Sequence, residues 1–311
     1  MKLGFIGCGN MASAIIGGIL EKKIVDREDI TASTKSEESA AKIKEKLGIA
    51  CSTDNRETAK HSDMVFLAVK PQFLEDVIAE IKDVLGSDQV IISIAAGKTM
   101  SWLEERIGGD RKIIRTMPNT PALVGEGITG VCRNALVEEK ELEEALVLLR
   151  SFGRAEVVTE PMLDVVGAVS GSSPAFVFMF IEAMADGAVA EGMPRKKAYE
   201  FAAQAVLGSA KWSLRQGCIR ASSRIWCAHR QVPLLKGWAF WSKGHAQCCD
   251  GLHPRLCKED QRTVETGNVL TGISNISHCN KCELLVEYKK RQKAPVCCLA
   301  ETEGVAYGPY F

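Results

Sequence analysis

Three small residues, Gly7-x-Gly9-x-x-Ala12, stand between an apolar run at residues 3–6 and a stretch rich in Ala, Ile and Leu at residues 13–22. A first glycine permits a tight turn. A second lets the backbone come close to a bulky anion, and a small third residue lets the next helix pack against the strand. Free N–H groups at the start of that helix would face the anion, and this spacing suits a pyrophosphate. Four more segments of small or polar residues end apolar runs. They are Ala32-Ser33-Thr34-Lys35, Ala68-Val69-Lys70-Pro71, Ala95-Ala96-Gly97 and Met117-Pro118-Asn119-Thr120-Pro121. A site that reads an unphosphorylated ribose usually closes its second strand with an acid for the 2′-hydroxyl. Here Asp26, Glu28 and Asp29 precede the strand, and hydroxyls and a lysine follow it. That set suits a 2′-phosphate, so NADPH is expected, with NADH possible. Lys70 is expected to face the cofactor or the substrate. The small residues 95–97 would let a ribose or nicotinamide lie against backbone. The two prolines of residues 117–121 fix a loop that presents Asn119 and Thr120. Finally, Ser170-Gly171-Ser172-Ser173-Pro174 is read as the opening of a long apolar helix, whose exposed N–H groups could hold a carboxylate. No Ser-His-Asp set and no metal-ligand cluster stands among these residues. The catalytic proton donor is therefore left unassigned, and no metal is expected.

Strands must end where these segments begin. Residues 3–6, 30–33, 64–69, 90–94, 112–117 and 154–158 read as short apolar strands, and residues 13–22, 37–47 and 138–151 as helices between them. This β-α-β-α order predicts a parallel sheet covered by helices on both faces, spanning about residues 1–160. From Leu163 the pattern turns helical, with helices at residues 174–191 and 194–211.

The chain has 311 residues, with 39 Lys plus Arg against 39 Asp plus Glu, so its formal net charge is zero. That balance removes the usual electrostatic reason to bind nucleic acid or an anionic membrane. The sequence opens directly on a strand pattern and offers no secretory leader pattern, and no run of 18 apolar residues is read in it. A cytoplasmic location is expected.

Taken together and in this order, Phe5-Ile6-Gly7-Cys8-Gly9-Asn10-Met11-Ala12, Ala68-Val69-Lys70-Pro71, Ala95-Ala96-Gly97, Met117-Pro118-Asn119-Thr120-Pro121 and Ser170-Gly171-Ser172-Ser173-Pro174-Ala175 closely resemble the pyrroline-5-carboxylate reductase family. The match covers about residues 1–211. It implies a Rossmann-type doubly wound sheet followed by an all-helical dimerisation domain, here truncated. It also implies hydride transfer from NAD(P)H to the C=N carbon of 1-pyrroline-5-carboxylate, giving L-proline, and a homo-oligomer. Cofactor-lining positions carried over from the family are Ile6, Gly7, Cys8, Gly9, Asn10 and Met11, then Ser33, Thr34 and Asn55, then Ala68, Val69, Lys70 and Pro71, then Ala95, Ala96 and Gly97. Asn119, Ser170, Gly171, Ser172 and Ser173 are expected to hold the substrate. A second reading is a nucleotide-binding fragment without turnover. A hydroxyacid-type reductase is disfavoured, since no helix with a matching catalytic lysine follows residue 174.

Composition changes abruptly after residue 211. Only Cys8, Cys51 and Cys132 of the 12 cysteines precede it, while Trp212, Trp226, Trp238 and Trp241 follow it. The family's next segment, ending in a Gly-Thr-Thr stretch that contacts substrate, is absent as written. Tryptophan has one codon, so the frame can be examined. With A closing the Lys211 codon, reading one base earlier lets the codons of residues 212–235 spell Met-Val-Leu-Glu-Ala-Gly-Met-His-Pro-Gly-Glu-Leu-Lys-Asp-Met-Val-Cys-Ser-Pro-Ala-Gly-Thr-Thr-Ile. Residues 212–311 are accordingly read as out of frame and expected to be mostly unstructured. His278-Cys279-x-x-Cys282 and the basic run 287–293 are discounted as zinc and nucleic-acid signals for that reason.

Overall fold

Short apolar runs make buried strands when helices cover both faces of their sheet. In the computed structural model, which describes residues 1–216, this holds for β1 (Leu3–Ile6), whose four residues are all buried. It is followed by α1 (Asn10–Glu21), β2 (Ile30–Ser33), α2 (Glu37–Leu47), β3 (Ala50–Ser52), α3 (Asn55–Lys60), β4 (Met64–Leu67), α4 (Leu74–Ile81), β5 (Val90–Ser93) and α5 (Met100–Ile107). Then come β6 (Lys112–Met117), β7 (Gly127–Arg133), α6 (Glu139–Leu149), β8 (Gly153–Val157), α7 (Glu160–Val166), α8 (Ser173–Ala190) and α9 (Arg195–Gln216). The described residues all belong to the first of the chain's two units, Met1–Trp226.

The eight strands form one sheet in the order β3-β2-β1-β4-β5-β6-β7-β8. All neighbours pair in parallel except β6 with β7. The order reverses between β1 and β4, so the crevice at their carboxyl ends is the expected ligand position of a doubly wound sheet. One core cluster gathers α1, α2 and α6 against one face, with the Phe5 and Phe66 rings stacked 4.4 Å apart. The other cluster gathers α4 and α5 against the opposite face.

Three features differ from the sequence reading. The short β3, α3 and α5 and the antiparallel β7 were not expected. Gly127 and Gly130 interrupt the strand pattern of β7, and packing explains the second. A Cβ at Gly130 would meet Leu163 Cδ2 at 2.8 Å, so the glycine admits α7. Next, the serine block does not open a helix. A five-residue π turn, Gly167–Gly171, joins α7 to α8, so the backbone N–H groups of residues 170–173 lie inside a helix that starts at Glu160. The proposed N-terminal carboxylate cradle is therefore withdrawn. Last, this continuous helix, Glu160–Ala190, contains an 18-residue stretch of mean hydropathy 1.5 and by length and composition could cross a membrane. No unbroken run of 18 apolar residues is present, as read from the sequence, because Ser170, Ser172 and Ser173 fall within it; the helix qualifies on mean hydropathy, a property that core helices of soluble proteins share.

α8 and α9 pack on each other through Ala185, Ala198 and Ala202, and Gly192 at φ +93° makes the bend between them. α9 continues past residue 211 to Gln216. The readings of residues 217–311, including the Cys and basic motifs, lie outside the described residues.

Candidate functional site

The parallel strands bring the loops after β1, β2, β4, β5 and β6 to one edge of the sheet. Main-chain bonds fix their order. Gly7 N donates to Ser33 O at 3.0 Å, Ala68 N to Ile6 O at 2.8 Å, and Thr34 N to Ser52 O at 2.9 Å. Gly7 has φ +85°, and a Cβ there would meet Val69 Cγ1 at 2.7 Å and Ala68 O at 2.9 Å. The first glycine therefore serves both the turn and its close approach to the β4 loop. The second is different. Gly9 has an ordinary φ of −83°, and a Cβ placed on it would meet no atom within 4 Å. It is also the N-cap of the 12-residue α1 and has no side chain to cap it. Asn10, Met11 and Ala12 precede the first intrahelical donor, Ser13 N, so their N–H groups have no partner within the helix. Open volume above uncapped N–H groups fits a pyrophosphate.

Cys8 lies in this turn. Burial pushes its thiol up to about 11, so it stays uncharged at neutral pH and adds no negative charge beside a phosphate. Gly97 also has a positive φ, +72°, and open space at its α-carbon, while Ala96 is exposed beside it. Lys70 is exposed at the edge, and Pro71 begins a short 3₁₀ turn that leads into α4.

The β2 end is more constrained than its sequence suggests. Ser33 is fully buried, and its hydroxyl donates to Asn55 Oδ1 at 2.7 Å. The Thr34 hydroxyl donates to Ser36 O at 3.2 Å. Lys35, which follows β2, is exposed, with Nζ 5.5 Å from the centre of the Phe73 ring. Asn55 Nδ2 donates in turn to Glu80 Oε2 at 2.8 Å. Glu80 escaped the sequence reading because it sits 47 residues beyond Ser33 on a different helix; only the packing of α3 on α4 brings it here.

The expected substrate residues gather where β6 meets the π turn. Pro174 has no N–H for the carbonyl four residues back, that of Ser170. Asn119 Nδ2 donates to that carbonyl at 3.1 Å, and Asn119 Oδ1 accepts from Ile128 N at 2.9 Å. Asn119 is thus a buried strut between the sheet and the helical segment. The Ser170 hydroxyl donates to Val166 O at 2.7 Å. Gly167 and Gly171 face Met117 Cε, which a Cβ at either would approach to 3.2 and 3.3 Å. Ser172 is exposed and Ser173 half-buried.

This arrangement, a doubly wound sheet with an uncapped glycine turn at its switch point and a helical segment behind, defines a dinucleotide-dependent oxidoreductase. The family model described as "NADP oxidoreductase coenzyme F420-dependent" matches residues 2–97, and the one described as "Pyrroline-5-carboxylate reductase dimerisation" matches residues 160–224. Pyrroline-5-carboxylate reductase of Escherichia coli K12 is 51% identical over 216 residues, covering 70% of this chain and 80% of that protein. Its counterpart in Methanosarcina acetivorans is 44% identical over 216 residues, with the same coverage. Among solved structures, pyrroline-5-carboxylate reductase of Coxiella burnetii aligns with a TM-score of 0.66 at 30% identity, covering 79% of this chain and 97% of that one. The Plasmodium falciparum pyrroline carboxylate reductase, solved with NADP bound, gives 0.63 at 29% identity with the same coverage. The chain belongs to the pyrroline-5-carboxylate reductase family.

Proposed function

We propose that this chain is a cytoplasmic reductase that holds NAD(P)H at the Gly7–Met11 turn and reduces 1-pyrroline-5-carboxylate to L-proline, a step of proline biosynthesis. One observation carries the cofactor half of this reading: the open space above Gly9 and the uncapped N-terminus of α1. The bound nucleotide would supply a hydride. The chain's own residues bind and orient. Gly9 and the N–H groups of residues 10–12 would take the pyrophosphate. Asn55, Lys35 and the β2 end would take the adenosine ribose. Ala68 to Pro71 and Ala95 to Gly97 would line the nicotinamide half. A protonated cyclic imine is already electrophilic, so alignment and charge placement suffice and no acid–base dyad is required. Asn119, Ser170 and Gly171 set the distance between sheet and helical segment, and the Ser172 and Ser173 hydroxyls are the groups offered to the substrate carboxylate.

The domain boundaries are proposed as residues 1–160 for the nucleotide domain and 161–211 for the start of the dimerisation domain, with residues 212–311 read from a shifted frame. A homo-oligomer built on α8 and α9 belongs to the same proposal. Sequencing the coding DNA across codons 205–240 tests the frame. A gene whose codons do not spell the alternative segment would remove it. The full chain is then assayed for NADPH binding and for imine-dependent NADPH oxidation. Binding with turnover supports the reductase. Binding without turnover selects a nucleotide-holding fragment, a reading favoured by the change of composition at residue 212.

A further inference from the structure

The second strand has no acid of its own at its carboxyl end, yet the fold delivers one. The relay runs from the buried Ser33 hydroxyl to Asn55 Oδ1 at 2.7 Å, and from Asn55 Nδ2 to Glu80 Oε2 at 2.8 Å. A second bond holds the same two helices together: Arg56 Nη1 donates to the Glu80 carbonyl at 2.6 Å. The guanidinium is thus engaged with Glu80's backbone, and the carboxylate is left to Asn55. Glu80 stands in the last turn of α4, and its carboxylate meets Asn55 at the start of α3. In a β-α-β nucleotide site, the second-strand end faces the ribose hydroxyl or phosphate at the 2′ position. The Glu80 carboxylate, exposed and two hydrogen bonds from Ser33, opposes a 2′-phosphate there and tolerates a 2′-hydroxyl. Lys35, held over the Phe73 ring, acts in the opposite sense.

We infer that Glu80 is a specificity-determining residue that narrows the margin of NADPH over NADH by setting a carboxylate, through Asn55, against the charge of Lys35. The inference rests on the reading of residues 7–11 as a pyridine-dinucleotide site. Its test separates the two. The full chain and its Glu80→Gln variant are titrated with NADPH and with NADH, at low and at high salt, following nicotinamide fluorescence. Glutamine can still accept from Asn55 Nδ2, so the amide stays oriented and only the charge is lost. The variant is expected to bind NADPH about three- to tenfold more tightly, to bind NADH about as before, and to lose most of that gain at high salt. Glu80→Ala carries the same expectation for the NADPH-to-NADH ratio if the glutamine variant does not fold. A parallel shift for both nucleotides, or no shift, with the parent chain binding both, overturns the role of Glu80 and leaves the site standing. A folded parent chain that binds neither nucleotide overturns the site and the inference together.

Discussion

The two glycines of the turn make separable demands on the chain. Gly7 is bound by conformation and space, with φ +85° and neighbours inside 3 Å of a Cβ, whereas Gly9 is bound by neither. Gly7→Ala is expected to cost roughly 1–3 kcal/mol of stability, read as a lowered urea midpoint. Gly9→Val is expected to leave the midpoint within about 0.5 kcal/mol of the parent while NADPH affinity falls at least about tenfold. If both variants lost stability alike, Gly9 would be a structural glycine and the open space above it would have no ligand. The motif spacing announced this turn, because backbone freedom is written in residue type. The fates of Ser33, Thr34 and Asn119 were less legible. Their types announced polar edges, but which hydrogen bonds they make depends on partners such as Asn55, Ser36 and Ser170, and two of those pairings cross the chain by more than 20 residues.

Between elements, the strands and long helices were readable because each is an apolar run of the right period. The joint between sheet and helical segment was not, because it depends on a missing N–H at Pro174 and a side-chain amide from β6's loop. Asn119→Ala would leave the Ser170 carbonyl and the Ile128 N–H without their partner, and about 1–3 kcal/mol of stability should be lost in chemical denaturation. An unchanged midpoint would mean that the joint is held elsewhere. β6 and α6 are linked by Lys112 Nζ and Glu141 Oε1 at 2.6 Å, both side chains largely shielded. Burial works to raise the Glu141 carboxyl, but the Lys112 hydrogen bond and charge and the Glu138 N–H outweigh it, and the net shift is downward. The Lys112 ammonium is raised, chiefly by its hydrogen bond to Glu141. A depressed carboxylate contributes stability that is present above its unfolded value and lost as pH falls through the folded one. The raised ammonium contributes stability that is lost as pH rises through its own folded value. Glu141→Gln should therefore flatten the fall in melting temperature on the acid side of the ordinary carboxylate range. An acid limb identical to the parent's would contradict the pairing.

Among the described residues, the sheet is closed over on both faces, while the helical segment keeps large apolar side chains exposed. Phe176, Phe178 and Phe201 are each about two-thirds exposed on α8 and α9, within the stretch matched by the dimerisation model. Large apolar side chains exposed together on two helices call for a covering partner. Light scattering of the full chain is expected to report self-association, and Phe178→Asp with Phe201→Asp should reduce it; a parent chain that runs as a monomer would contradict an oligomer built on this face. The sequence foretold α8 and α9 but not the continuous course of α7 into α8, since the π turn hides the helical period across residues 167–171.

Correcting the frame after codon 211, if the coding DNA bears out the shift proposed above, and incubating the purified product with NADPH and 1-pyrroline-5-carboxylate tests the whole account most directly. Proline should form in step with NADPH oxidised. A folded, NADPH-binding product that yields no proline would contradict it.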